Sequence, residues 1–195
     1  MDANYLDSAI KQFEYYKLLG EQAIEQVPEE ALSWQYNSES NSIAIIVNHL
    51  RGNMLSRWTD FLHTDGEKAW RNRDLEFENT TDQREGLQKK WKEGWDCLLT
   101  ALHALTAADL TRIIYIRNQG HTVTEAINRQ LAHYAYHVGQ IVFIAKMVAD
   151  DKWKSLSIPK GASDAYNAAK FEGGKKRVHF TDEYIRKEQK ENDNL

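Results

Sequence analysis

Hydrophobic side chains recur at three- and four-residue intervals in four long stretches of the chain. This spacing predicts amphipathic α-helices over residues 5–26, 42–63, 82–104 and 124–149. Four such helices in one chain predict an all-α fold, a four-helix bundle that buries its apolar faces in a common core. The core positions predicted for the second helix are Ile43, Ile46, Val47, Leu50, Met54, Trp58 and Phe61.

Two connections between these helices have patterns of their own. Residues 64–80 form a long polar connection, and a connection of this length often has a function. Residues 111–123 are rich in β-branched and aromatic side chains around Asn118-Gln119-Gly120, which predicts a small β-hairpin before the fourth helix. Thr81 or Asp82 is expected to cap the third helix.

The end of the chain differs from the rest in composition. After about residue 170 it is dense in charges of both signs and poor in aliphatic side chains. We therefore predict a bundle domain over residues 1–170 and a charged extension over 171–195. A peripheral helix is expected near residues 181–190, followed by disorder.

Composition and charge exclude several classes of function. The net charge of −4 leaves no excess of Lys and Arg to neutralise a nucleic-acid backbone. No apolar run approaches the length of a membrane span, and the first residues lack the pattern of a signal peptide. The single Cys97 cannot form an intramolecular disulfide. We expect a cytoplasmic protein with no nucleic-acid or membrane partner.

A histidine pair marks the fourth helix. His133 and His137 stand four residues apart, so both lie on one face of the helix, one turn apart. Two imidazoles in this arrangement can bind one metal ion, and a third would leave an open coordination position on Zn²⁺ or Ni²⁺. The spacing alone does not choose the third ligand among His49, His63, His103 and His121. It shows only that His49 lies beside the core face of the second helix.

Two segments together resemble a known superfamily. They are Val47-Asn48-His49-Leu50-Arg51-Gly52-Asn53-Met54 and His133-Tyr134-Ala135-Tyr136-His137-Val138-Gly139-Gln140-Ile141. In this combination the chain is similar, over residues 1–170, to the DinB/YfiT-like superfamily, and more narrowly to a Bacillus-type branch of unknown function. The resemblance implies an up-down-down-up bundle with a long crossover between helices two and three. It also implies a divalent metal held by His49, His133 and His137.

The same resemblance implies a class of reaction. Characterised members of the superfamily include metal-dependent transferases of low-molecular-weight thiols such as bacillithiol and mycothiol. The expected function is a metal-dependent enzyme that transfers a small thiol to an electrophile or hydrolyses a small substrate. The alternative is a non-catalytic bundle protein of the stress response that binds a metal or a ligand. The sequence assigns no catalytic residue.

Side chains near the predicted ligands have candidate supporting roles. Polar residues expected to orient the imidazole rings are Asn48, Asn53 and Gln140. Residues expected to contact the substrate are Arg57, Trp70, Arg71 and Arg73, of which the three arginines are expected to hold an anionic group. For the segment around Trp70, the alternative is that its side chains only anchor the crossover. A homodimer formed through helix faces is a further expectation.

Overall fold

A computed structural model describes residues 2–79 and 83–186 of the protein. Four long helices are α1 (Asp2–Glu25), α2 (Ile43–Trp58), α3 (Arg84–His103) and α4 (Val123–Ala149), and a shorter helix is α5 (Ser163–Glu172). Residues 182–186 are also helical. Single turns of 3₁₀-helix cover Glu29–Ala31, Asp74–Phe77, Ala107–Thr111 and Asp150–Lys152. Within the described part of the chain, no helix has the length and apolarity needed to cross a membrane.

The four long helices share one core. α2 packs along α3 and α1 along α4, with further contacts between α1 and α3 and between α2 and α4. Phe13, Trp95 and Tyr134 are completely buried in this core, and the rings of Phe13 and Trp95 each lie 5.9 Å from that of Tyr134. The helical fold with a hairpin before the fourth long helix is confirmed. The up-down-down-up course stays a prediction.

α2 is shorter than predicted, because it ends at Trp58 and not at His63. Asp60 adopts a left-handed backbone conformation with a φ of 47°, and its carbonyl accepts hydrogen bonds from the N–H groups of His63 and Thr64. A turn therefore replaces the last part of the helix. Phe61 is nevertheless buried, with its ring 5.0 Å from that of Trp58. The apolar spacing correctly predicted that Phe61 is buried, but it wrongly predicted that Phe61 belongs to the helix.

The hairpin before α4 holds the start of the crossover between α2 and α3. Its strands, β1 (Ile113–Ile116) and β2 (Gln119–Thr122), are antiparallel and are joined by Arg117 and Asn118. Both loop residues have positive φ, as in a type I′ turn, so the turn begins one residue before the predicted position. The Asp65 carboxylate accepts hydrogen bonds of 2.8 Å from both loop N–H groups. The crossover is therefore fixed to the hairpin at this point.

Side chains cap the two helices that carry the histidines. Ser42 accepts a hydrogen bond from the N–H of Ile45 at 3.2 Å, and it is the cap of α2. Thr122 and Glu125 form a capping box at the start of α4, which therefore begins one residue before the predicted Thr124. A cap of this kind contributes about 1 kcal/mol to helix stability. In α3 the N-cap position is Gln83, and the predicted caps, residues 81 and 82, lie outside the described residues.

The chain after α5 returns to α1. Thr181 is completely buried, and the rings of Phe180 and Tyr184 lie 5.7 and 5.1 Å from that of Tyr15. α5 was not predicted, and it runs through the predicted domain boundary at residue 170. The helical residues 182–186 fall inside the predicted range 181–190. Residues 187–195, where disorder was predicted, lie outside the described residues.

Candidate metal centre

Three histidines meet between α2 and α4. His49 comes from α2, and His133 and His137 come from successive turns of α4. One ligand nitrogen of each lies within 4.8 Å of the other two, and the Nε2 atoms of His49 and His133 are 3.2 Å apart. His49 and His137 are buried, and His133 is half-buried. The group does not include the other candidates for the third ligand, His63, His103 and His121.

The Nδ1 nitrogen of each imidazole ring forms a hydrogen bond with a side-chain oxygen. The Nδ1 pairs are His49 with Glu76 (2.9 Å), His133 with Gln130 (3.3 Å) and His137 with Gln140 (2.8 Å). An ionised carboxylate or an amide oxygen only accepts, so each Nδ1 carries the proton and each Nε2 presents a lone pair. Facing lone pairs repel each other unless a cation lies between them. This donor set therefore fits a divalent transition metal.

Glu76, which was not among the predicted site residues, orients His49 from the crossover. It lies on the 3₁₀-helix Asp74–Phe77 and is buried. Arg71 donates two hydrogen bonds to its carboxylate, of 2.7 and 2.9 Å. Burial acts to raise the pKa of Glu76, but the hydrogen bonds from His49 and Arg71 outweigh it and lower the pKa. The carboxylate is therefore ionised at neutral pH and fixes the tautomer of His49.

Gly52 makes room for this carboxylate. It lies one turn after His49 on α2, and a Cβ atom at its position would overlap the carboxylate of Glu76. A side chain at position 52 would therefore push Glu76 away from His49. In the sequence, the only signal at this position is a glycine inside a predicted helix, which is about 1 kcal/mol less favourable there than alanine. That signal does not show that the crossover packs against this glycine.

The residues predicted to orient the rings have different surroundings. Gln140 contacts His137, as described above. Asn53 accepts a hydrogen bond of 3.0 Å from the hydroxyl of Tyr134, the residue after His133. Asn48 accepts a hydrogen bond of 2.9 Å from Lys90 on α3 and lines a neighbouring cleft. At His49, the orienting contact is the one with Glu76.

The histidines open onto a cavity of about 390 Å³ whose wall is strongly cationic. Of the residues predicted to contact substrate, Arg57, Arg71 and Arg73 line this cavity, while Trp70 lines the neighbouring cleft. Arg117 and Arg129, which were not predicted from the sequence, also line it. Charged residues at exposed positions usually belong to a solvated face, so nothing in their spacing indicated a shared cavity.

Burial keeps two of the imidazoles neutral. It lowers the pKa of His133 to about 3, assisted by Coulomb interactions with the side chains of His137, His49, Arg57 and Arg129, which oppose a second positive charge here. It also lowers the pKa of His137 to about 4, although the hydrogen bond with Gln140 acts in the opposite direction. Neutral imidazole is the form that binds a metal. The metal-free site is therefore ready to bind a metal at neutral pH.

These lowered pKa values predict how the stability of the metal-free protein depends on pH. Between pH 6.5 and 4, unfolded histidines bind protons while folded His133 and His137 stay neutral. Acid therefore favours the unfolded chain, and stability is lost as the pH falls below 6.5. From pH 7 to pH 5 we expect a loss of about 2 kcal/mol, after allowing for the partial exposure of His133. Urea unfolding in the presence of EDTA measures it.

A matched variant separates these two histidines from other titrating groups. In the double variant His133→Asn/His137→Asn, the loss of stability between pH 7 and pH 5 is expected to shrink by most of this amount. An equal loss in the double variant and the wild type would show that other groups cause it.

One protein-family model matches most of the chain. The family model described as "Protein of unknown function (DUF1572)" matches residues 1–162. The chain belongs to the DUF1572 family. The matched part contains the three histidines, Glu76 and every arginine of the cavity wall. In the DUF1572 chain, α5 and the segment that returns to α1 follow the matched part. No curated protein matches the chain.

Proposed function

We propose that the chain is a metal-dependent enzyme that holds a divalent transition metal, Zn²⁺ or Ni²⁺, through His49, His133 and His137. The observation that carries the proposal is the convergence of three Nδ1-anchored imidazoles on one side of an open cavity. A structural zinc site usually has four protein ligands, whereas three ligands and an open position characterise a catalytic site. The cavity leaves space for a small substrate beside the ion.

The proposal includes membership of the DinB/YfiT-like superfamily. Several observations support it: the helical fold of the DUF1572 chain, the long connection between α2 and α3, and one histidine on α2 with two on α4. The up-down-down-up course of the bundle belongs to the same proposal.

Two reactions fit the site, transfer of a small thiol to an electrophile and hydrolysis of a small substrate. A divalent ion with an open position supplies a Lewis acid that lowers the pKa of a thiol or of water. In the transfer, the thiol sulfur bonds to the electrophilic atom, the leaving group takes the bonding electrons, and the thiol proton passes to solvent. Glu76, Gln130 and Gln140 hold the imidazole rings, and the arginines of the cavity wall hold the anionic part of the substrate.

One observation favours a second candidate function. Among the described residues that line the cavity there is no carboxylate that can act as a general base. A protein that binds a metal or a ligand without turnover needs no such group. The second candidate is therefore a non-catalytic binding protein with the same three ligands.

Replacing one ligand tests the metal site. The His137→Ala variant is expected to bind less than a tenth of an equivalent of Zn²⁺ under conditions in which the wild type binds one, because it removes one of three ligands. Elemental analysis after dialysis against limiting Zn²⁺ measures the stoichiometry. His63→Ala is the matched control, since His63 is exposed and lies outside the group. Equal stoichiometry in the wild type and His137→Ala would refute the site.

Turnover separates the two candidate functions. The Zn²⁺-loaded wild type is assayed with bacillithiol or glutathione and a chlorodinitrobenzene, and separately with p-nitrophenyl esters. An enzyme gives turnover that His137→Ala lacks. If the metal-loaded protein and this variant give the same background rate in both assays, the non-catalytic candidate is the correct one.

A further inference from the structure

We infer that the cavity beside the three histidines binds the phosphate or phosphonate group of a small substrate, and that Arg73 and Arg129 are its principal contacts. The inference deepens the proposed function and rests on it, because it places this group next to the metal. It adds a substrate class and two residues that determine specificity.

The arginines reach the cavity from separate parts of the fold. Arg57 belongs to the last turn of α2, Arg71 and Arg73 to the crossover, Arg117 to the hairpin turn and Arg129 to α4. A charge run along one segment is usually a solvated face, but here four segments bring like charges to one cavity. The whole chain has a net charge of −4, so the cationic wall is a local feature.

Carboxylates neutralise only some of these arginines. Arg71 is paired with Glu76, and Arg57 and Arg117 both approach Glu67, at 3.3 and 3.0 Å. Neither Arg73 nor Arg129 forms an ion pair among residues 4–79 and 83–186. Arg73 instead lies over the ring of Phe77, 4.8 Å from its centroid. Two guanidinium groups are therefore available to a ligand.

Arg57 differs from Arg73 and Arg129 because the protein itself holds its side chain. Its side chain is only 6% exposed, and its Nη1 donates to the carbonyl of Gly66. Its Nε is buried without a hydrogen-bond partner within the described part of the chain. An unsatisfied buried donor costs about 1–3 kcal/mol. Arg57 is nevertheless fixed in the wall by the protein, where it adds positive charge, and the contacts available to a ligand are those of Arg73 and Arg129.

The charge balance selects the kind of anion. Five guanidinium groups and a divalent ion around one small cavity repel one another, and two paired glutamates offset only part of this charge. A neutral substrate leaves the repulsion in place, and a monocarboxylate offsets one charge. A phosphate or phosphonate brings up to two charges and three oxygens, which match the forked donors of two arginines.

Inorganic phosphate is the probe for this inference, with the EDTA-treated protein as the first sample. Calorimetric titration at constant ionic strength compares the wild type with Arg73→Gln and Arg129→Gln. Each variant is expected to bind phosphate about tenfold more weakly, as follows from losing one charge-assisted contact. Arg129→Lys, which keeps the charge and loses the fork, is expected to fall between the wild type and Arg129→Gln.

The control is Arg112→Gln. Arg112 is exposed and pairs with Asp109 outside the cavity, so phosphate affinity should not change. Arg73 and Arg129 are exposed, and circular dichroism of their variants verifies that they fold. Affinities within a factor of two for the wild type and both glutamine variants would overturn the inference.

The same titration with the Zn²⁺-loaded protein distinguishes this inference from the proposed function. Tighter phosphate binding in the presence of Zn²⁺, dependent on Arg73 and Arg129, supports both. Failure to bind Zn²⁺ through the histidines removes the proposed function, while the metal-free titration still tests the arginines. Binding of Zn²⁺ without any arginine dependence leaves the metal site intact and removes the anion site.

Discussion

The Glu76→Ala variant is expected to lose about 3–5 kcal/mol of unfolding free energy, the usual cost of removing one partner of a buried ion pair. Arg71 has a side chain only 2% exposed, and both of its hydrogen bonds to Glu76 disappear. Glu67 lies 3.8 Å from Arg71, too far for a replacement hydrogen bond without rearrangement. His49 also loses its acceptor. Urea unfolding of the metal-free protein measures the loss.

An exposed ion pair is the matched control for this variant. Glu93 pairs with Arg51, and the two side chains are 45% and 37% exposed. Glu93→Ala is expected to cost no more than about 1 kcal/mol, because water screens and solvates an exposed pair. Equal losses for Glu76→Ala and Glu93→Ala would contradict the buried character of the Glu76 site. The isosteric Glu76→Gln variant keeps an acceptor for His49, so its loss should be the smaller of the two Glu76 variants.

Zinc is expected to stabilise the wild type by about 2.7 kcal/mol when its free concentration is a hundred times its dissociation constant. The reason is that the three ligand nitrogens converge only in the folded protein. For a chain of this size the gain corresponds to a rise of about 5–10 °C in melting temperature. Differential scanning fluorimetry with and without Zn²⁺, and again after addition of EDTA, measures the rise and its reversal.

Each variant serves as its own reference in this experiment, because a substitution can also change the stability of the metal-free protein. In His49→Ala the rise on adding Zn²⁺ should vanish or fall to a small fraction. In His103→Ala, where an exposed histidine outside the group is removed, it should persist. If the melting temperature of His49→Ala rose as much as that of the wild type, Zn²⁺ would be stabilising the protein by binding at another site.

The parts of the fold that depend on a short, local pattern of residues were predictable from the sequence. The apolar spacing of α2 and α4 and the β-branched run of the hairpin are visible within a dozen residues. The predicted end of α2 was wrong because Phe61 keeps the apolar spacing, although the backbone has already left the helical conformation at Asp60. α5 was missed because it buries none of its side chains and so has no clear apolar stripe.

The site was predictable to a different degree for each residue. His133 and His137 are linked by helical spacing, but His49 required the family resemblance. Glu76 could not be predicted, because its contact with His49 depends on how an irregular crossover returns over α2. The predicted ring partners were close neighbours in the sequence such as Asn48, which accepts a hydrogen bond from Lys90 on α3.

The position of His49 and His133 has a consequence for the topology of the chain. The two residues are 84 positions apart, and an ion shared by them closes a loop of that length, which includes the crossover and α3. A disulfide closing such a loop removes unfolded-state entropy worth about 4.5 kcal/mol. The chain has one cysteine and cannot make that bond within itself. A metal ion bound at this site would be a reversible cross-link, which a chelator removes and a reductant does not.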